Sequence, residues 1–539
     1  MRGIVENVIA TLIKSSTAGS AASSLSRRPR TGSRRPSHVL LNVEAVVGFH
    51  RNRTTCIASN RNGAVIQVSF VLKPPPQPSI LYVASDDLNP FVAPVILCSV
   101  DDLLLFRVNI GRKKTHIHLQ HHHDYYVYRA AAAYPSLHLI ANPPDPVFHR
   151  DDVGLLRRPD GRYIVAALKD IGRDDVYELQ LYHSDTKTWT TRKVSVEPPQ
   201  WDPLPKRIPS YCGVLLRHYT SAVVTIGGEG GTMAWVDLWR SILLCDVLCP
   251  DPSLRGVPIP LPSRLMSLND GLGVKLDFAG HSRGISYNRD KGCLMLVHVE
   301  RNESPPPIHS FARGLHGEIQ VLDWEVTTWS NTKMSDCLED WHEERSIQAS
   351  NINIDARMLE GSGLPCRPSP RDHSKDEATA SATAAQAQQL DLHNLSVCQP
   401  TLCPNGEDSV VYLVAREKYL HPNAWFLAVD MKDQGTLKHV AHIGNQDHPL
   451  CHSIYCLSRI SKYTNPKMRR LKSSATDPGT EIKCSGSVTL YSGVQSSDEW
   501  SRFDATRVNN ASVTLQWKLP LHRILAHEKE SNYQADAVE

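Results

Sequence analysis

Gly280-His281-Ser282-Arg283-Gly284 fits the glycine-X-serine-X-glycine pattern of a nucleophile elbow. In that arrangement a serine hydroxyl attacks an acyl carbon, and the N-terminus of a following helix faces the developing oxyanion. The chemistry needs a strand before the serine and a helix after it. Val274–Phe278 can supply the strand, but Ile285-Ser286-Tyr287 runs into the turn Asn288–Gly292 and then the apolar run Cys293–Val299. The spacing predicts strand, turn and strand, so Ser282 reads as an ordinary polar residue of a β-hairpin. A serine esterase-type hydrolase using the GHSRG pentapeptide stands as the rival reading.

Other chemistry-bearing groups are weaker. His116, His118, His121, His122 and His123, followed by Asp124, could gather Zn²⁺ or Ni²⁺. A specific site needs ligands converging from a rigid frame, whereas these sit between Arg112-Lys113-Lys114 and the strand Tyr125–Tyr128, in a solvated loop. Cys245 and Cys249 flank Val247-Leu248 in an apolar strand, Cys398 and Cys403 surround a proline-containing loop, and Cys451 and Cys456 bracket four residues. None has zinc-finger spacing, and all read as core residues. Gly227-Gly228-Glu229-Gly230-Gly231 lacks the Lys-Ser/Thr of a phosphate loop, and Glu229 would oppose a phosphate, so a wide turn is expected. The basic run Lys462, Lys467, Arg469, Arg470 and Lys472 has only Tyr463 for base stacking, which favours a solvated face over weak nucleic-acid binding. No catalytic, cofactor-binding or metal-ligating residue is assigned.

The elements that would position such groups are strands. Val65–Leu72 alternates up to the prolines at 74–76, and Val176–Tyr182 sets Tyr177, Leu179 and Leu181 on one face. Similar runs recur at 80–84, 95–100, 103–108, 163–169, 211–216, 222–226, 242–247, 293–299, 318–322, 410–414, 425–430, 437–443 and 513–517, many separated by tight turns. Many short strands and few helices predict a mainly β chain. In Leu181–Trp189 a strand, an Asp-led turn and a Thr-Trp pair follow one another; Leu322–Trp329 resembles it, and Ala428–Asp433 is a weaker copy. Such hairpins look like those of kelch-like propellers, with the aromatic packed between blades. The expected fold is therefore a β-propeller-like array of short antiparallel strands, with two packed β-domains as the alternative.

That array occupies residues 39–472, interrupted by a low-complexity insertion at 361–389. Residues 473–539 are a poorly patterned C-terminal extension with short strands. Residues 1–38 combine one apolar helical face with a Ser/Arg-rich stretch, either a transit peptide for a mitochondrion or chloroplast or a disordered leader, with nucleus and cytoplasm as the default location. A net charge of +3 over 539 residues favours neither nucleic acid nor an acidic partner. No apolar run reaches the ~18–20 residues that span a bilayer. The 13 cysteines, with no secretory leader, are expected to stay reduced.

Ala234–Leu248, reading AWVDLWRSILLCDVL, closely resembles the signature of the plant domain of unknown function 1618 family. Asp124–Ala130, Val153–Leu156, Asp323–Trp329, Ser335–Ser350, Val410–Val414, Ala424–Met431 and Ser458–Tyr463 look like its flanking segments, so the resemblance covers roughly residues 120–465. It implies a grass-expanded family with no established activity and no catalytic residues to carry over, some members being similar to F-box-associated and kelch-like β proteins. No convincing F-box precedes residue 120. The function expected is a non-enzymatic scaffold whose loops bind a protein or peptide partner, without cofactor.

Overall fold

Uninterrupted apolar strands are buried on both faces, because a strand with one wet face alternates. Several segments of this chain are of that kind. Tyr125-Tyr126-Val127-Tyr128, Ile164–Leu168 and Met233–Val236 are all buried. Successive side chains of each go to opposite sides. Met233 and Trp235 enter one apolar cluster, Ala234 and Val236 another. A sheet with two such faces needs a sheet on either side, and a ring of sheets satisfies that without leaving an end.

The computed structural model has this ring. It describes His38–Thr464 except 112–122, 132, 145–149, 174–175, 198–217, 262–277, 305–319, 360–361, 366–390, 404–408, 419–420, 433–434 and 446–454. The leader, most of the 361–389 insertion, the C-terminal extension and the expected strands at 211–216 and 513–517 lie outside the described residues.

Six sheets form six blades. Blade I holds β1 (Val39–Asn42), β2 (Val46–Val47), β3 (Cys56–Ser59), β4 (Val65–Val71) and β5 (Pro78–Ala84). Blade II is β6 (Val95–Val100), β7 (Leu103–Asn109), β8 (His123–Arg129) and β9 (Ser136–Ile140). Blade III is β10 (Val153–Arg157), β11 (Tyr163–Arg173), β12 (Val176–His183) and β13 (Thr188–Ser195). Blade IV is β14 (Ala222–Gly227), β15 (Thr232–Asp237), β16 (Ser241–Asp246) and β17 (Leu254–Pro258). Blade V is β18 (Arg283–Asn288), β19 (Cys293–Ser304), β20 (Gln320–Asn331) and β21 (His342–Gln348). Blade VI is β22 (Ser396–Leu402), β23 (Val410–Arg416), β24 (Asn423–Asp430) and β25 (Thr436–Asn445). The last strand among the described residues, β26 (Tyr455–Ser458), returns to blade I, whose order is β26-β1-β5-β4-β3 with β2 beside β5. There β1 pairs antiparallel with β26 and parallel with β5, so strands from both ends of the described chain share a sheet. Blades II to VI are antiparallel meanders whose first strand is innermost.

The six apolar clusters each fill the space between two consecutive blades, including the seam between VI and I. Tryptophans fasten these seams. The indole N–H of Trp235 donates to Asp152 O of blade III's approach (2.9 Å), that of Trp341 to Pro258 O of blade IV (2.7 Å), and that of Trp324 to Leu392 O before blade VI (3.1 Å). Trp189, which opens the second strand of its hairpin, reaches Ala141 O beyond blade II (2.8 Å). The aromatic of this hairpin packs between blades as the sequence predicts.

Several expectations need correction. Leu322–Trp329 is not a hairpin: β20 runs through it unbroken, and Trp324 and Trp329 belong to opposite seams. Cys398 and Cys403 do not surround a loop, because Cys398 and Pro400 are inside β22, where the ladder shifts register between Cys398 and Thr401. Cys249 lies in the turn after β16. His123 is in β8 and its Nδ1 bonds Asn109 Oδ1, so it is no loop residue. One ring, not two packed domains, contains every described strand. Among the described residues only three α-helices occur, each of four residues: α1 (Ala279–Ser282), α2 (Ala356–Leu359) and α3 (Ile460–Tyr463). None is long and apolar enough to cross a membrane.

Candidate functional site

The innermost strands of all six blades enclose an axial cavity of about 320 Å³. Its two mouths differ. Where the inner strands begin, Asp151, Ser221, Leu238 and Gly280 border the opening. Where they end, Asp101 and Arg289 lie across it. Asp101 belongs to the β6–β7 turn of blade II and Arg289 to the β18–β19 turn of blade V. In a ring of six these blades are opposite, and Arg289 Nη1 reaches both Asp101 carboxylate oxygens at 2.7 and 2.8 Å. Beside this bar, Ser99 and Ser458 share a hydrogen bond of 2.7 Å between blades II and I. The far mouth is therefore barred by side chains of the ring itself.

Two residues of the lining have left-handed backbones, Asp101 at φ 53° and Gln399 at φ 53°. Such conformations cost of order 1–3 kcal/mol for a non-glycine and persist where the surroundings impose them. Asp101 occupies a tight turn, and Gln399 the register shift of β22.

The GHSRG pentapeptide stands on this wall in an order opposite to an elbow. The helical turn α1 ends at Ser282 and the strand β18 begins at Arg283, so the helix precedes the strand. Ser282 is thus not in the β18–β19 hairpin, and it is buried. Residues 274–277, the proposed upstream strand, lie outside the described residues. Gly284 has a packing reason: a Cβ there would stand 2.1 Å from Pro400 O in blade VI. The glycine lets two inner strands approach backbone to backbone.

Arg283 is the unusual member. It is 1% exposed, and no carboxylate lies within ion-pair distance of its guanidinium among the described residues. Nη1 donates to Leu238 O (2.6 Å) and Nη2 to Pro260 O, while Nε has no partner. The guanidinium carbon lies 5.3 Å from the centroid of Trp239. Burial pushes its pKa down to about 9, with Asp237 acting in the opposite direction, so the group stays charged at neutral pH. His298, its register partner on β19, is edge-on to Trp239, and neither ring nitrogen has a partner. Burial, then Arg283 and Arg301, hold it well below the ordinary histidine range, so it is neutral.

The tight turn between β15 and β16 supplies these contacts. Asp237 Oδ1 accepts the Trp239 N–H (3.0 Å); Oδ2 accepts the Tyr219 N–H (3.0 Å) and Arg240 Nη1 (2.8 Å). The buried Asp237–Arg240 pair neutralises itself, and Leu238 O and the Trp239 ring are left to hold Arg283. Trp-Val-Asp-Leu-Trp-Arg is thus a turn that docks blade IV on blades III and V. A family model described as a protein of unknown function, DUF1618, matches residues 235–412, beginning at this turn. Residues 235–412 are thus similar to the DUF1618 family.

The DUF1618 match runs from β15 to β23, a narrower span than residues 120–465, and assigns no activity. No curated protein matches the sequence. Among solved structures, a Trypanosoma rangeli sialidase in complex with the inhibitor DANA is 10% identical with a TM-score of 0.25. That alignment takes in 75% of this chain and 59% of the sialidase. A Penicillium chrysogenum alpha-L-arabinanase complexed with arabinobiose is 8% identical, with a TM-score of 0.23, over 76% of this chain and 99% of its own. Likeness at this level adds nothing to the fold read from the strands.

The remaining candidates fall apart as sites. Gly227, Gly228 and Gly231 have positive φ in the turn between β14 and β15, as expected of a wide turn. His116, His118, His121 and His122 lie outside the described residues, as do Lys467, Arg469, Arg470 and Lys472. Among the described residues no three His, Cys, Asp or Glu side chains could hold a metal ion. Two features of the open mouth were not visible in sequence. Asp152 is pushed up to about 7, by burial first and then by Asp151. Arg283 was hidden inside a motif whose apparent meaning was its serine.

Proposed function

We propose that the protein is a non-enzymatic scaffold that binds a protein partner through the outside of blades I and II. The supporting observation is where apolar surface stays bare. Among the described residues, Val47, Phe49, Ile57, Val65, Phe91 and Leu139 are exposed on blades I and II toward the end where the inner strands begin, Phe49 at 81%, whereas Tyr134, in the β8–β9 turn, lies at the opposite end. Val47 and Phe49 are drawn toward the chain that carries Phe91 by the Ala45 N–H to Pro94 O bond of 2.8 Å. Outer strands β3 and β9 touch, and Ile57 and Leu139 are exposed on them. Clustered apolar exposure of this kind marks protein–protein contact sites, whereas scattered exposure needs no explanation. The fitting partner is a protein segment presenting apolar side chains.

A photo-crosslinking residue at Phe49 of the full chain tests this in extracts of its own tissue. A discrete partner should be captured, and capture should fall at least fivefold in Phe91→Ser. Capture of a second copy of the chain, or capture unaffected by Phe91→Ser, overturns the proposal. The hydrolase reading predicts instead that a fluorophosphonate labels the wild type and not Ser282→Ala; a buried Ser282 at the end of α1 gives no label in either.

A further inference from the structure

We propose that residues 4–13 of this chain dock on the apolar surface of blades I and II of the same molecule and withhold it from the partner; the inference rests on the reading of that surface as a contact site. Val47, Phe49, Ile57, Val65, Phe91 and Leu139 leave the surface bare toward the end where the inner strands begin. Such a surface is unfavourable in water until something apolar covers it. The chain itself has a segment of matching chemistry. By their spacing Ile4, Val5, Val8, Ile9, Leu12 and Ile13 would share one face of a helix, with Asn7 and Lys14 on the opposite side. As a helix, residues 4–13 would be about 15 Å long. Val47 on β2 and Ile57 on β3 stand three strands apart across blade I, which is also about 15 Å.

The tether between them fits in length. β1 begins at the barred end, because Val39 pairs with Ser458, which joins Ser99 beside the Asp101–Arg289 bar. The apolar surface lies toward the other end of blade I, roughly 23 Å away for strands of seven residues. Residues 14–37 supply 24 positions. A chain of that length reaches about 80 Å when extended and has a root-mean-square span of about 25–30 Å as a flexible coil. A tether whose natural span matches the distance gives an effective concentration on the order of millimolar, so even a weak contact is occupied. Charge points the same way. Glu44 follows β1, and Asp86 and Asp87 follow β5, at the end where the surface lies. Arg61 at this end is paired with Asp124, and Arg51 and Arg53 lie toward the barred end, where Asn52 bonds Phe70 O. The segment before β1 carries Arg2, Lys14 and five arginines between positions 27 and 35 against the single acid Glu6.

A photo-crosslinking residue at Phe49 in the purified full chain tests the contact. Irradiation should join position 49 to the tryptic peptide of residues 3–14. In a mixture of isotope-labelled and unlabelled chains, both halves of each product should carry the same label. The crosslinking residue placed instead at Tyr134, at the opposite end, should give no such product, and Ile9→Asp should lower the yield from position 49 at least fivefold. In tissue extract, Ile9→Asp should at least double the capture of a partner at position 49. Absence of the product, products that mix the labels, or a yield unchanged in Ile9→Asp overturns the inference and leaves the partner reading standing. Capture that is present but unchanged in Ile9→Asp refutes the withholding. No capture by either form, with the product present, refutes the partner reading and with it the withholding, though not the contact.

Discussion

At the residue scale, the pentapeptide at 280–284 shows how a motif can be visible while its meaning is not. Ser282 drew attention by its spacing, and the failure of an elbow was legible because Ile285–Tyr287 leads into a turn and another strand. What could not be read was that Gly284 faces Pro400 O, more than a hundred positions away, or that Arg283 is buried without an acid. Both depend on neighbours that only the ring brings near. Gly284→Ala should destabilise the protein by about 1–3 kcal/mol, the usual penalty for overpacking, measured by chemical denaturation. Asp152 gives a pH signature. Its folded pKa is near 7 and its ordinary value 3.8, so folding favours the protonated form. That contribution is fully present below about pH 4 and is lost as pH rises through 7. With about 1.4 kcal/mol per pKa unit, the loss is on the order of a few kcal/mol. Asp152→Asn should therefore raise Tm more at pH 8 than at pH 4; an equal gain at both would refute the assignment.

At the scale of elements, central strands announced themselves and outer strands did not. β7, β8 and β16 are apolar on both faces, because each packs against two neighbouring blades. The outermost β21 reads His-Glu-Glu-Arg-Ser-Ile-Gln and is exposed at all but one position, so no hydrophobic period marks it. Charged outer strands also discourage pairing with other sheets. The misread hairpin at Leu322–Trp329 has the same origin. Asp323 and Glu325 look like turn residues, but β20 is long enough for its polar positions to lie at the edge of the seam. Trp324 is 1% exposed and fastened to Leu392 O, whereas Trp189 is only partly buried. Trp324→Ala should thus cost about 3–5 kcal/mol by the core-truncation rule, and Trp189→Ala distinctly less. Paired denaturation curves check the order.

At the scale of the whole molecule, a β-propeller was foreseeable and its blade number was not. The connections differ in length, and blade I is assembled from residues 39–84 together with 455–458, so no fixed sequence period exists to be counted. The seam between blades VI and I relies on Leu40, Phe426, Tyr412 and Tyr455, buried together. Ending the chain after Asn445 removes β26 and uncovers that seam. The truncated protein should lose its single cooperative unfolding transition and bind a hydrophobic dye, as calorimetry and dye fluorescence would show; a sharp transition at the wild-type Tm would contradict this.

The shared sheet of β1 and β26 also sets a timetable for the protein's birth. A chain leaving the ribosome at ~5–20 residues per second builds its N-terminal parts first. Blade II can settle on blade I early, since Val39 and Leu41 face that side. Leu40 points the other way and must wait until blade VI and Tyr455 have been made. For most of translation the nascent protein is an open arc with an oily face at its start. Its yield in cells should depend on whatever shields that face until β26 arrives.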